Sequence, residues 1–103
     1  MNEQKKTEAV LALAEQAWQD YVFPEGVAAE DADGWSYEVP FHGDVEITRA
    51  FYLGSGEGDG PTSRCYFTVT VDSEALAVKD AYAIDLSGNM FGEPAAHAAA
   101  PQP

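Results

Sequence analysis

The sequence predicts an α+β fold in two layers, with one N-terminal helix packed on a four- to five-stranded antiparallel meander sheet. Residues 3–22 repeat apolar side chains at helical spacing, whereas residues 35–91 alternate apolar with polar side chains in successive short runs. The connections between these runs are short, which favours antiparallel neighbours. A helix followed by such strands buries its apolar stripe against one face of the sheet.

The predicted helix covers residues 3–22. Asn2 precedes it as a candidate N-cap, and Pro24 and Gly26 follow it as stop signals. The apolar stripe consists of Leu11, Ala14, Trp18 and Tyr21. Because the stripe contains a large aromatic residue, we expect it to pack on a flat apolar surface.

Strands are predicted after an acidic connection at 25–34. The alternating runs are 35–39, 45–53, 65–71 and 82–86, with a turn at 87–89 and a short returning strand at 90–91. In the last long run, Tyr82, Ile84 and Leu86 are expected to be the buried residues. Arg49 falls on the apolar side of its run, which predicts a bulge there or a position near an open end of the sheet.

The chain is expected to form a single domain over residues 1–92. Residues 93–103 are rich in alanine and proline and are predicted to be a disordered tail. The layout of one helix and a meander is shared with cystatin-like and NTF2-like folds, a likeness of architecture and not of sequence.

The excess of negative charge indicates which kinds of partner the protein can bind. The chain has 18 Asp and Glu against five Lys and Arg, a formal net charge of −13. Such a field opposes direct binding to nucleic acid or an anionic membrane and attracts basic protein surfaces. The same acidity also favours solubility, so a purely solubilising role stays open. A single cysteine and the lack of an apolar run of about 18 residues predict a cytoplasmic protein.

Three sets of residues resemble phosphate, calcium or catalytic sites, but each lacks a feature that such a site requires. The glycine-rich segment 54–61 has no Lys after its glycines, so it predicts a hairpin loop rather than a phosphate site. The acids of 30–34 lack the Glu that a calcium loop needs at its twelfth position. His42 could be paired with Cys65, but we expect this thiol to lie on the apolar side, where it is inert. We therefore predict a non-enzyme without catalytic, cofactor-binding or metal-binding residues.

The candidate partner-binding residues are acids and tyrosines that the alternation places on the uncovered face or in a loop. On strands and their ends they are Glu38, Glu46, Tyr52, Tyr66, Asp72 and Asp85, and in the 54–61 loop they are Glu57 and Asp59. We expect the four strand carboxylates to form a planar array, and the tyrosines to supply contact area. Cross-strand pairing of Tyr with Thr is the structural alternative for the two tyrosines.

The sequence favours a small acidic inhibitor from a phage or mobile element. It would engage the basic nucleic-acid-binding surface of a host defence or nucleic-acid enzyme, in the manner of anti-restriction and anti-CRISPR proteins that partly mimic DNA. At one charge per ~1.7 Å of duplex, 13 charges correspond to about 22 Å of DNA. The likeness to these proteins is one of size and charge, and the sequence contains no motif of any such family. The alternative is an immunity-type or adaptor protein that recognises a basic partner by shape.

Overall fold

The computed structural model describes residues 2–24, 28–30, 32–54 and 63–94 of the 103-residue chain. Its elements are α1 (Glu3–Asp20), β1 (Tyr21–Val22), β2 (Ala28–Glu30), β3 (Asp44–Gly54), β4 (Ser63–Asp72), β5 (Ala77–Asp85), β6 (Met90–Phe91) and β7 (Glu93–Pro94). The described segments confirm the predicted α+β class, in which α1 packs on an antiparallel sheet through β4 and β5.

The main sheet has five strands in the order β2-β3-β4-β5-β6, and every neighbouring pair is antiparallel. This order is the predicted meander. The β3–β4 register is continuous from Asp44 opposite Asp72 to Leu53 opposite Ser63. Arg49 lies in the middle of it, so both alternatives predicted for this residue, a bulge and a position near an open end of the sheet, are wrong. An irregularity instead interrupts the β4–β5 ladder between Thr70 and Val71.

The helix begins as expected and ends two residues early. The Asn2 side chain accepts a hydrogen bond from the Lys5 N–H at 2.8 Å, which confirms the N-cap. Tyr21 and Val22 turn extended and pair with Glu93–Pro94 as a second, two-stranded sheet. The first two residues of the predicted tail are therefore ordered by this pairing, and the remainder, 95–103, lies outside the described residues.

Two predicted boundaries in the first half of the chain are wrong. Residues 28–30, expected to belong to a connection, form β2 on the edge of β3. Residues 35–39, expected to be a strand, contribute only a bridge between Ser36 and Thr48. Beyond Ser36 the segment leaves the sheet, and Tyr37 and Val39 are exposed. The chain therefore follows β3 only as far as Ser36.

The core lies between α1 and one face of the sheet, which we name the covered face. Its buried side chains include Val10, Ala14, Ile47, Phe51, Cys65, Phe67, Val69, Val71, Ala81 and Ala83. Trp18 of α1 extends this core, with its ring edge-on to Phe51 at 5.1 Å and to Phe67 at 5.0 Å between centroids. The predicted apolar faces of β3 and β4 are confirmed.

The predicted apolar face of β5 is wrong. Ala81 and Ala83 are buried, whereas Tyr82 and Ile84 point to the opposite face and Leu86 is 71% exposed in the following turn. The reason is space, because α1 packs directly on β4 and β5 and leaves room for alanine side chains. Bulky residues turn outwards where the helix approaches most closely.

Tyr21 fastens the second sheet to the first. Its buried hydroxyl donates to the Phe91 carbonyl at 2.7 Å and accepts from the Ala83 N–H at 3.1 Å. Burial raises the pKa of this phenol, so it stays protonated and able to donate. Gly92 lies against the same ring with φ of +71°, and an added Cβ would come within 2.6 Å of it. Glycine is therefore required at this contact.

Candidate binding face and groove

The surface available to a partner is the side of the sheet that α1 does not cover, which we name the open face. The central residues of this face are Asp44, Glu46, Thr48, Ala50 and Tyr52 from β3, Arg64, Tyr66, Thr68, Thr70 and Asp72 from β4, and Asp80, Tyr82 and Ile84 from β5, and of these Ala50 and Thr68 are buried. Directly opposite residues of an antiparallel pair share a face, so the β3–β4 and β4–β5 registers fix this set. The residues fall into two unlike ends.

One end of the open face is acidic, and we name it the acidic end. It consists of Asp44, Glu46, Asp72 and Asp80. Carboxylates on adjacent strands lie ~4.8 Å apart at the backbone and those two residues apart on a strand ~7 Å, so one basic side chain can reach more than one of them. Lys79 compensates part of this charge by donating to Asp44 Oδ2 at 2.7 Å. This bond raises the pKa of the Lys79 ammonium.

Asp72 lies on the open face as predicted, but its carboxylate already accepts hydrogen bonds from the backbone of the same chain. Its Oδ1 accepts the N–H groups of Glu74 and Ala75 at 2.9 and 3.0 Å, and so shapes the turn into β5. The bonds from Ala75 and then Glu74 hold the pKa of Asp72 below its usual value. Asp72 therefore adds charge to the acidic end while its position is set by the turn.

Asp85 is not on the open face, which corrects the predicted array. It pairs with Cys65, and it therefore lies on the covered side of the sheet. Its Oδ1 accepts the N–H groups of Ser87 and Asn89 at 2.9 and 3.0 Å. The prediction for β5 has the wrong side of the strand inwards, and the Asp85 carboxylate closes the β5–β6 turn instead.

Sequence reasoning missed Asp44 and Asp80, the two acids that complete the acidic end. Asp80 stands opposite Thr70 just before the ladder irregularity. The signal that could have found it is the small-residue pair Ala81 and Ala83, since small residues two apart mark the side of a strand under a close helix. With that side inwards, Asp80 points outwards.

The other end of the open face is aromatic and aliphatic, and we name it the aromatic end. It contains Tyr52, Tyr66, Ile84 and Met90. Met90 is 69% exposed, and the half-buried Tyr66 lies under the Arg64 guanidinium at 5.5 Å. Between the two ends, the hydroxyls of Thr48 and Thr68 are 3.0 Å apart across the strands. Exposed apolar area beside a charged patch is typical of binding surfaces.

Glu38 lies on the loop 37–42 and not in the sheet. Together with Glu46 it lines an open groove of about 590 Å³ between that loop and the start of β3, to which Tyr37, His42 and Val45 also contribute. Of the predicted residues, Glu38 and Glu46 are thus brought together, and Tyr52 and Tyr66 share the aromatic end. Glu57 and Asp59 lie outside the described residues.

Arg49 is a cation on the covered side, and its guanidinium is enclosed. The Arg49 guanidinium carbon lies 4.3 Å from the Trp35 ring centroid and 5.1 Å from that of Trp18. Its Nε donates to the Asp33 carbonyl at 2.8 Å, and Nη1 lies 3.5 Å from Glu15 Oε1. With 12% of its side chain exposed, Arg49 ties α1, β3 and the 33–35 segment together. It is therefore not available to a substrate.

The Cys65 thiol lies on the covered face, as the alternation predicts. Burial raises the pKa of the Cys65 thiol, which is fully buried and far from a reactive thiolate. Within 2–24, 28–30, 32–54 and 63–94, no three His, Cys, Asp or Glu side chains converge in a way that could hold a metal ion. No helix in this described part has the length and apolarity that crossing a bilayer requires.

Comparison of the chain with known protein families, curated proteins and solved structures finds no match.

Proposed function

We propose that this protein is a small inhibitor that binds the basic nucleic-acid-binding surface of a partner protein and partly mimics DNA. The observation that carries the proposal is the acidic end of the open face. There Asp44 and Glu46 project from β3 and Asp80 projects from β5, on either side of β4, with Lys79 as their cationic neighbour. A nucleic-acid enzyme presents arginines and lysines spaced for phosphates, and carboxylates on a rigid sheet can occupy them. The target class we propose is the host defence nucleases that act against phages and mobile elements.

Rigidity supports the proposal as much as charge does. Asp44 and Glu46 lie on β3, which pairs with β4 through ten consecutive partners, and Asp80 lies on β5, which pairs with the other edge of β4. The other side of these strands is fixed by the buried core. Charges held on such a platform lose little backbone freedom on binding, so more of the electrostatic attraction appears as affinity.

The experiment compares two triple variants of equal charge. The face variant is Asp44→Asn, Glu46→Gln and Asp80→Asn, and the matched control is Glu3→Gln, Glu8→Gln and Asp20→Asn on α1, where all three side chains are exposed. Inhibition of DNA cleavage is measured with a panel of restriction endonucleases and RNA-guided nucleases. We expect inhibition to compete with duplex DNA and to weaken steeply between about 50 and 200 mM salt. The face variant should lose inhibition, and the control should keep it.

Two results would contradict mimicry by this face. Equal loss in both variants would mean that net charge alone acts, and full inhibition by the face variant would remove the acidic end from the interface. If the panel shows no inhibited enzyme, the proposed target class is wrong.

A second candidate function follows from the aromatic end. The exposed Met90 and its neighbours Ile84 and Tyr66 favour an adaptor or immunity-type protein that recognises a basic partner by shape. Binding would then change little with salt and would fail in an Ile84→Ser/Met90→Ser variant, while the face variant would bind almost normally.

A further inference from the structure

The groove beside Glu38 runs along an uncovered edge of β3. The chain segment 33–36, which precedes the groove-lining loop, runs alongside β3. The Asp33 N–H donates to the Ala50 carbonyl at 2.8 Å. Ser36 and Thr48 then exchange two hydrogen bonds, of 2.7 and 3.1 Å. Beyond Ser36 the chain turns away into the 37–42 loop, and the groove of about 590 Å³ opens where its pairing with β3 ends.

The backbone of β3 presents unused pairing groups to this groove. In an antiparallel sheet the N–H and C=O of one residue point to the same side, and alternate residues point to the same neighbour. Thr48 directs both groups towards Ser36, away from β4, so Glu46 and Asp44 direct theirs to the same side. Within the described residues, these four groups have no hydrogen-bond partner. An edge of this kind is a template for another strand.

Charge decides which strand fits. Glu38 and Glu46 line the groove, and Asp44 lies two residues before Glu46 on β3. A second copy of this chain carries a net charge of −13 and would be repelled. The exposed Tyr37 and the half-buried Val45 give an apolar component to the walls. An extended segment with alternating basic and apolar side chains matches both properties.

We propose that this groove binds an extended basic peptide segment, which pairs with β3 at Asp44 and Glu46 as an added sixth strand of the main sheet. The inference rests on the proposed function, because it names the part of a basic partner that this chain holds. The added strand continues the main sheet beyond Ser36, in the position that the 37–42 loop leaves empty along β3. Main-chain bonds supply binding that is independent of sequence, and Glu38 and Glu46 select for lysine and arginine.

The first test uses the protein alone. Hydrogen exchange measured by NMR should show the Glu46 amide exchanging at least about tenfold faster than the Thr48 amide, because Thr48 is paired and Glu46 is open. Equal protection of the two amides would mean that the edge is already covered, and it would overturn the proposal.

The second test uses a synthetic, capped peptide of seven residues that alternates lysine with valine. At about 1 mM peptide, the amide signals of 44–48 should shift, and Glu46 exchange should slow. Two N-methylated versions separate strand pairing from simple attraction, since a strand uses alternate N–H groups on each side. Methylation in one register should weaken binding at least about tenfold, whereas the other register should bind like the parent. Equal affinity of all three peptides would overturn strand addition.

Charge selection is tested with single variants. Glu38→Gln should weaken peptide binding about two- to fivefold, as exposed ion pairs do, and Glu8→Gln on α1 should leave it unchanged. A glutamate–valine peptide should not bind, and binding of that peptide would overturn the basic selectivity. Nuclease inhibition without peptide binding would contradict the groove and leave the proposed function standing. Peptide binding without inhibition of any nuclease would support the groove as a peptide site and contradict the proposed function.

Discussion

The two arginines of the chain, Arg49 and Arg64, lie on the neighbouring strands β3 and β4 and on opposite sides of one sheet. Both place a guanidinium over an aromatic ring. Arg49 has tryptophans within 4.3 and 5.1 Å, a bond to a backbone carbonyl and a side chain that is 12% exposed. Arg64 is exposed and has the ring of Tyr66 at 5.5 Å.

The difference shows how the molecule separates stability from binding. On the covered side, a polar group such as Arg49 is held by several hydrogen bonds and ring contacts at once, so it is part of the packed structure. On the open face, most charges have one partner or none among the described residues, and they remain available to a second protein. Substitutions on the covered side should therefore change the free energy of unfolding, and substitutions on the open face should chiefly change binding.

The largest expected effect is on Arg49. Arg49→Ala removes two cation–π contacts in a partly desolvated site and a charged hydrogen bond, and should lower the free energy of unfolding by about 2–3 kcal/mol. Arg64→Ala should change it by less than about 0.5 kcal/mol. Urea denaturation followed by circular dichroism measures both, since the tryptophan signal itself would change with Arg49.

Arg49→Lys sharpens the same comparison. A lysine keeps the charge near Glu15 but loses the planar group that stacks between the two tryptophan rings. We expect most of the loss seen with alanine to remain. Full rescue by lysine would mean that charge rather than stacking fixes this site, and equal effects at the two arginines would break the proposed division between the sides.

Tyr21 gives the next largest effect. Tyr21→Phe keeps the ring contacts but leaves the Ala83 N–H and the Phe91 carbonyl without their partner, at an expected cost of about 1–2 kcal/mol in unfolding free energy. Tyr82→Phe is the matched control, because the hydroxyl of Tyr82 on the open face has no hydrogen bond within the described residues. Thermal unfolding of the two variants provides the measurement, and an equal loss in both would contradict the bridging role.

The sequence predicted the elements whose patterns are long and the faces whose residues differ strongly in polarity. The helix cap at Asn2, the meander order and the inward sides of β3 and β4 are confirmed. The inward side of β5 was missed because hydrophobicity ranks Tyr82 and Ile84 above alanine, whereas the close helix admits only alanine. Local polarity carries no information on how near another element will come.

The placement of the candidate-site residues on the sheet was also predicted correctly where the strand alternation is clear. Glu46, Tyr52, Tyr66 and Asp72 were placed on the uncovered face because their strands have clean alternation. The groove could not be predicted, because it exists only where the 37–42 loop departs from β3, and that departure depends on pairing between Ser36 and Thr48. Alternation at 35–39 suggested a full strand, which would have filled the groove and closed the edge.

The smallest expected effect is a pH dependence at Asp72, a residue of the open face that nevertheless has two backbone partners. Because its pKa is lowered in the folded state, the contribution of Asp72 to stability is complete above the usual aspartate value and is lost as the pH falls through the folded value. Asp72→Asn keeps an acceptor oxygen but has no charge. The variant should thus be less stable than the parent at pH 7, and the two should converge as the pH falls below about 4.

Asp20→Asn provides the control for charge, because removing any acid from a chain with a net charge of −13 relieves repulsion. Measuring all three proteins by urea denaturation in about 0.5 M salt screens that general term and leaves the local one. Asp72→Asn should then be less stable than Asp20→Asn at pH 7, since only Asp72 accepts the N–H groups of Glu74 and Ala75. If the two variants coincide at every pH, the Asp72 carboxylate is as free as any other acid of the open face. The acidic end would then offer four carboxylates to a partner instead of three with a fourth held by its turn.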